Sequence, residues 1–440
     1  MSLDLVKIDG AERAQQLISQ LEGLAIGKTQ MTTTELYTTV RLLKELCHNP
    51  EISNSILSEE ALNMLLRLND SKYNDNNLRP EIFKIIANAM LFAPSLRTVD
   101  SIFSIMLGEL NSITDTTEAA ASRVLFFMTA APRNYDDASL SCLLEYMTQR
   151  LRIYSCRAQF DDASLFALTE TCKLLFNILL FALDLPALLV DDIPQLLVAI
   201  SVALPRRFTP PLSSVVTCLF KLPYEETVYI AHDAATKIVS VYIDVLDDAL
   251  RSSSADDAIA PLLGLILNIY DSTANTDVQQ YFKDRLLSTD DDRDLPLGAS
   301  SRLPSQLLRI TTDPLFPNSK ELVYQLLFDM SDRDVRKFVH NIGIGYASGY
   351  LVSHDIPIPE DIMYENKQSA PSGDVNPVTG QRLDAEDSSP RLDEMTDEEK
   401  ELEAERLFVL FERLRQNGVI SVENPVRTAV ESGRFAEVGQ

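Results

Sequence analysis

The feature that most constrains this chain is a weak repeat of aliphatic pairs set in helical surroundings. A polar or basic residue, two aliphatics, one variable residue and a further polar position recur as R-L-L-K-E at 41–45, K-I-I-A-N at 84–88 and K-L-L-F-N at 173–177. Degenerate copies stand at 123–127 (R-V-L-F-F), 217–221 (T-C-L-F-K) and 264–268 (G-L-I-L-N). Successive copies end 43, 39, 50, 44 and 47 residues apart, a mean of about 45, which lies within the period of armadillo and HEAT arrays. Asn88, Asn177 and Asn268 mark the same position at intervals of 89 and 91 residues. A unit of this size is a helix pair or triplet that leaves its own apolar face uncovered, so neighbours must stack, and one helix layer is left as a concave binding surface.

Between about residues 11 and 350 apolar residues keep helical spacing, while Pro94, Pro132, Pro205, Pro210, Pro211 and Pro223 fall where helices should end. The fold expected is all-α, an armadillo/HEAT-like superhelical solenoid over 1–360 of roughly eight units. The stretch 287–304 carries an aspartate run without helical pattern and reads as a solvated loop. Residues 361–395, rich in Pro, Gly, Ser and Asp, read as a flexible acidic linker. C-terminal amphipathic helices should fill 396–440. Thr396-Asp397-Glu398-Glu399 has capping-box form, Leu402, Leu407, Leu410, Phe411 and Leu414 share a stripe, and Asn417-Gly418 supplies a stop. A second helix is expected from Asn424-Pro425 to just before Gly433.

Composition narrows the function. A net charge of −26 over 440 residues opposes phosphate-backbone binding, so nucleic acid is an unsuitable partner. The five cysteines are odd in number and lack CxxC spacing, which fits a reducing compartment. The first residues have no signal-peptide core, and no uninterrupted apolar stretch approaches the roughly 20 residues that cross a bilayer. A cytoplasmic protein without membrane insertion is expected.

Catalytic motifs fail on spacing. GLAIGKT at 23–29 has three residues between Gly23 and Gly27 where a phosphate loop needs four. Gly343, Gly345 and Gly349 are one residue too widely spaced for a dinucleotide fingerprint. The histidines His48, His232, His340 and His354 are scattered, and no HExxH or GxSxG pattern occurs. No catalytic residue, metal site or cofactor is expected.

Four segments carry a resemblance. They are LVYQLLFDMSDRDVRKFVHNIGIGYASGYLV at 322–352, NPVTG at 376–380, MTDEEKELEAERLFVLFERL at 395–414 and CKLLFNI at 172–178. In this order they resemble the synembryn family, in its fungal type. The resemblance implies a non-receptor guanine nucleotide exchange factor and folding chaperone for heterotrimeric G-protein α subunits (Gα), acting as a monomer without an active site of its own. It implies that the array holds the Gα C-terminal helix on its concave face while the C-terminal segment braces the Ras-like domain. GDP-bound, nucleotide-free and nascent Gα are then the partners, and recruitment to the plasma membrane would run through Gα. Contacts are expected at Arg41, Lys84, Asn88, Lys173 and Asn177, and at Leu407, Leu410, Phe411 and Leu414 of the tail. Asn177 has a second reading, in which its amide satisfies backbone groups between repeats. Thr396, followed by three acids, has the form of an acidophilic kinase site. The alternative function is an acidic solenoid adaptor that binds basic peptide segments.

Overall fold

In the computed structural model, the described residues are 2–69, 77–130, 136–181, 192–222, 235–252 and 254–359. Beyond these, 375, 376, 379–382, 385, 396, 400, 404, 405, 408, 409 and 411 are described. The side chains of 2–9, 69 and 181 are excluded. The chain forms two compact units, Met1–Val228 and Tyr229–Gln440. Among the described residues, one isolated bridge pairs Val375 with Arg382.

The first unit contains α1 (Ser2–Ala25), α2 (Thr33–Leu46), α3 (Pro50–Ile56), α4 (Glu59–Asn69), α5 (Leu78–Phe92), α6 (Asp100–Glu109), α7 (Asp115–Thr129), α8 (Asp137–Ser155), α9 (Asp162–Phe181), α10 (Ile193–Ala203) and α11 (Leu212–Lys221). Local chemistry sets their ends. Thr32 and Glu35 form a reciprocal capping box on α2, Asn49 caps α3 ahead of Pro50, and Asp136 caps α8. Gly27, at φ +72°, ends the first helix, and the amides of Lys28 and Thr29 return to the Gly23 carbonyl. This near phosphate-loop sequence is therefore a helix terminus.

Two ladders run through this unit. In one, α2 packs on α5, α5 on α7, α7 on α9 and α9 on α11; in the other, α4 meets α6, α6 meets α8 and α8 meets α10. The first ladder contains every repeat copy between 41 and 221. Its aliphatic pairs Ile85 and Ile86, Val124 and Leu125, Leu174 and Leu175 are fully buried. Leu43 is buried while Leu42 is 38% exposed. From Asp162 to Leu180, α9 is long and apolar enough to cross a membrane, which the sequence reading did not anticipate. Its Leu168, Leu174, Leu175 and Ile178 are buried in the ladder instead.

The second unit contains α12 (Ala235–Arg251), α13 (Asp256–Ser272), α14 (Thr276–Leu286), α15 (Leu303–Thr312), α16 (Pro317–Met330), α17 (Val335–Ile342) and α18 (Ile344–Ser353). The 264–268 copy sits on α13, which packs along α16. Gly343, at φ +78°, turns α17 directly into α18, so the glycine-spaced motif is a helix junction.

The expectation of a solvated loop at 287–304 is corrected. Asp290–Asp294 forms a short 3-10 turn, and Asp292, Arg293 and Leu297 are buried. An aspartate run looks solvated in sequence because its partners, residues 379–382, lie more than eighty residues away. Residues 379–382 are docked on the turn.

Candidate partner-binding face

The α2-α5-α7-α9-α11 ladder brings together the polar positions that the repeat predicts. Arg41 and Lys84 are exposed, Asn88 and Lys173 are half-buried, and Asn177 is buried. Between the predicted cations lie two residues that sequence reading missed, Glu81 and Glu170. The Glu81 carboxylate receives Lys44 Nζ of α2 at 2.8 Å and Lys84 Nζ of its own helix at 2.7 Å. The Glu170 carboxylate receives Arg123 Nε of α7 at 3.5 Å and Lys173 Nζ at 2.8 Å.

These are one device used twice. Residues 81–88 read E-I-F-K-I-I-A-N and 170–177 read E-T-C-K-L-L-F-N. Glutamate and lysine three apart share a helical face, which brings their ends together, and the glutamate also reaches the cation on the preceding ladder helix. The signal was available as E-x-x-K-x-x-x-N at an interval of 89 residues. It was passed over because carboxylates are common in so acidic a chain.

The electrostatics follow from burial. The Glu81 and Glu170 side chains are 10% and 1% exposed, whereas Lys84 and Lys173 are 50% and 40% exposed. Burial alone would raise the Glu81 carboxyl, but the hydrogen bonds from Lys44 and Lys84 outweigh it and hold the group below its usual range. Each seam therefore sets two cations on one inward carboxylate, with one lysine half in water, and at the first seam Lys44 also pairs with Glu45 at 3.1 Å. Arg123 adds a cation over the exposed Phe166 ring, 5.8 Å from its centroid. At the Glu170 seam, on a strongly acidic chain, cations outnumber carboxylates.

Asn177 acts within the seam. Its amide donates to Phe126 O at 2.9 Å and Thr129 Oγ1 at 3.2 Å, tying α9 to α7. Deeper in, Glu118 of α7 is fully buried and pairs with Arg150 of α8, and accepts from Tyr154 Oη at 2.8 Å and Thr171 Oγ1 at 2.9 Å. Three helices thus share one carboxylate.

In the tail, Thr396 is exposed and its carbonyl accepts the Lys400 amide at 3.0 Å, as at a helix start. Lys400, Ala404, Glu405, Phe408, Val409 and Phe411 are helical, with Phe411 half-buried. Phe408 and Val409 expose apolar surface that the predicted stripe omitted. Leu402, Leu407, Leu410, Leu414, the remaining cap residues, the Asn417-Gly418 stop and the expected second helix lie outside the described residues.

A family model described as the guanine nucleotide exchange factor synembryn, Ric8, matches residues 39–434, most of both units. The chain belongs to the synembryn family. Its relatives include a synembryn-like chaperone of Schizosaccharomyces pombe, 24% identical over 452 aligned residues that cover 90% of this chain and 83% of the yeast protein. The chaperone Ric-8 of Drosophila pseudoobscura pseudoobscura is 27% identical over 198 residues, covering 42% of this chain and 34% of its own. Chaperone Ric-8A of Macaca fascicularis is 24% identical over 206 residues, covering 43% and 38%. The match thus spans little more than a third of either animal relative, whereas it runs through most of the yeast one. Within this synembryn-family chain the ladder from residue 39 onward and the described tail residues fall inside the matched range.

Proposed function

We propose that this chain is a non-receptor exchange factor and folding chaperone for heterotrimeric Gα subunits, that it works in the cytoplasm as a monomer, and that the ladder face receives the Gα C-terminal helix. The observation that carries the reading is the run of cations along the ladder, which outnumber the carboxylate where Arg123 and Lys173 flank Glu170. A helix offered by its C-terminal end brings the negative pole of its dipole and a terminal carboxylate, which such a face attracts. Basic peptides, the occupants that the adaptor alternative requires, would be repelled there.

Arg41, Lys84 and Lys173 supply the charge, Asn88 a half-buried amide, and Asn177 holds the seam in shape. Leu407, Leu410, Phe411 and Leu414 form the bracing stripe of the tail. Phosphate on Thr396 would add charge at a helix N-terminus, where the dipole favours it.

The mechanism needs binding preference and no bond chemistry. A surface with higher affinity for Gα opened at its nucleotide site than for the GDP-bound form shifts the population toward release. Each tenfold acceleration corresponds to about 1.4 kcal/mol of barrier lowering. The same preference holds a nascent Gα before it has closed around nucleotide.

The test is GDP release from a purified GDP-loaded Gα without receptor. The chain has no tryptophan, so a Gα tryptophan reports without background. Acceleration that is lost in the Lys84→Met/Lys173→Met double variant supports the reading. Release unchanged by the full chain, together with capture of basic peptides, overturns it in favour of the adaptor.

A further inference from the structure

The NPVTG sequence and the aspartate turn meet in a built acceptor site. Arg293, 2% exposed, donates from Nη1 to Gly380 O at 3.0 Å and from Nη2 to His340 O at 2.7 Å. The Arg382 amide donates to Arg293 O at 2.8 Å, the Leu297 amide to Thr379 O at 2.9 Å, and Gln381 Nε2 to Asp294 O at 3.0 Å. The strap turns on itself as it binds, with the Gly380 amide on Asn376 O at 2.7 Å.

Two glycines make the fit close. Gly380 has φ +68°, and a Cβ there would stand 2.3 Å from Leu297 Cδ1. Gly298 has φ +88°, and a Cβ there would stand 2.2 Å from Tyr346 Oη, which donates to Leu297 O at 3.3 Å. Left-handed backbone and the missing Cβ are both required at each position. Burial pulls the Arg293 guanidinium below its ordinary range against the opposing pull of Asp290 and Asp292, and the Gly380 and His340 carbonyls satisfy its donors there.

We propose that this acceptor site, with residues 375, 376 and 379–382 as its occupant, fixes the point from which the C-terminal helix reaches. The inference rests on the bracing role given above to that helix. From Arg382 to Thr396 there are 14 residue steps, a span of at most roughly 50 Å. Without the dock the tether would start no later than Pro359, 37 steps from Thr396. Effective concentration falls with about the three-halves power of tether length, so undocking lowers the local concentration of the helix about fourfold. The strap thus acts as a length setter that keeps the helix close to a partner held by the same chain.

Two insertions in the full chain separate this from other roles. Fourteen Gly/Ser residues placed after Asp387 double the working tether, and the same insert placed after Ser369 leaves it unchanged while the strap is docked. With Gα, the first should lower the acceleration of GDP release about threefold, and the second should leave it at the original rate. Adding Gly380→Val should make the second insertion costly as well. The partner-free readout is the spread of distances between spin labels at positions 354 and 400, in a background of Cys142→Ser and Cys156→Ser. It should broaden with the insert after Asp387 and stay narrow with the insert after Ser369. Equal effects of the two insertions on label distances overturn the proposal, whether or not any Gα responds. A full chain inert toward every Gα sinks the exchange reading alone, since the labels still decide the dock.

Discussion

The two units solve the same problem, covering the faces of stacked helices, by different means. In the first, polar seams join side chain to side chain and recur. Lys44, Glu81 and Lys84 are repeated as Arg123, Glu170 and Lys173. In the second, links from side chain to backbone stand beside ion pairs such as Lys283 with Asp332 and Arg285 with Asp244, outside the repeated seam pattern. Asp256 of α13 accepts the Asn318 and Ser319 amides of α16 at 3.0 and 2.9 Å, and Arg293 donates to two carbonyls. An aromatic cluster supplies the rest, with Phe328, Phe338 and Tyr350 centroids 5.2 to 5.8 Å apart. Repetition thus writes itself into residue types at fixed spacing, whereas links to backbone leave no periodic mark.

The sharpest way to break this contrast is Glu118→Ala. It removes the buried carboxylate that Arg150, Tyr154 and Thr171 share and leaves Arg150 with Asp115 as its carboxylate partner, and losing one partner of a buried pair costs about 3–5 kcal/mol. Hydrogen exchange should show lost protection across α7, α8 and α9 with α13 and α16 unchanged. Equal losses in both units would mean that the units do not differ in the way described.

A smaller effect is expected from Asn177→Ala. It leaves the Phe126 carbonyl and Thr129 hydroxyl without their amide donor, at about 1–3 kcal/mol. Asn88→Ala, at the half-buried counterpart, should cost less than about 0.5 kcal/mol. Equal costs measured by denaturant melts would show that the repeat seams are graded by something other than burial.

Acid should loosen both units over the same range by different links. The carboxyls of Glu81 and Asp256 are each held below their ordinary values, since hydrogen bonds to the charged form outweigh burial. A depressed folded value gives stability that is fully present above the unfolded value and is lost as pH falls through the folded one. The window therefore opens below about pH 4.5. The stability advantage of the native chain over Glu81→Gln should shrink there in the first unit, and that over Asp256→Asn in the second. An advantage constant down to pH 3 would refute the assignment.

The smallest change in stability is expected from Lys173→Met, at most about 0.5 kcal/mol for a half-exposed ion pair whose carboxylate keeps Arg123. Thermal melts should barely move while capture of the Gα C-terminal peptide weakens. A large loss of stability with capture intact would return the ladder cations to a purely structural role.

What the sequence determined alone is the helical class, the period of about 45 residues and the members of one ladder, because aliphatic pairs and helix-ending residues act locally and leave their spacing in the chain. Lys84 and Lys173 were visible for the same reason. Glu81 and Glu170 were also written there, yet only their burial between two cations distinguishes them from the other carboxylates of an acidic chain. The Arg293 dock lay beyond local reading. Asp290–Asp294 and Gly380 have ordinary loop composition, and they become a site only when folding brings together segments more than eighty residues apart, with two glycines clearing the space between them.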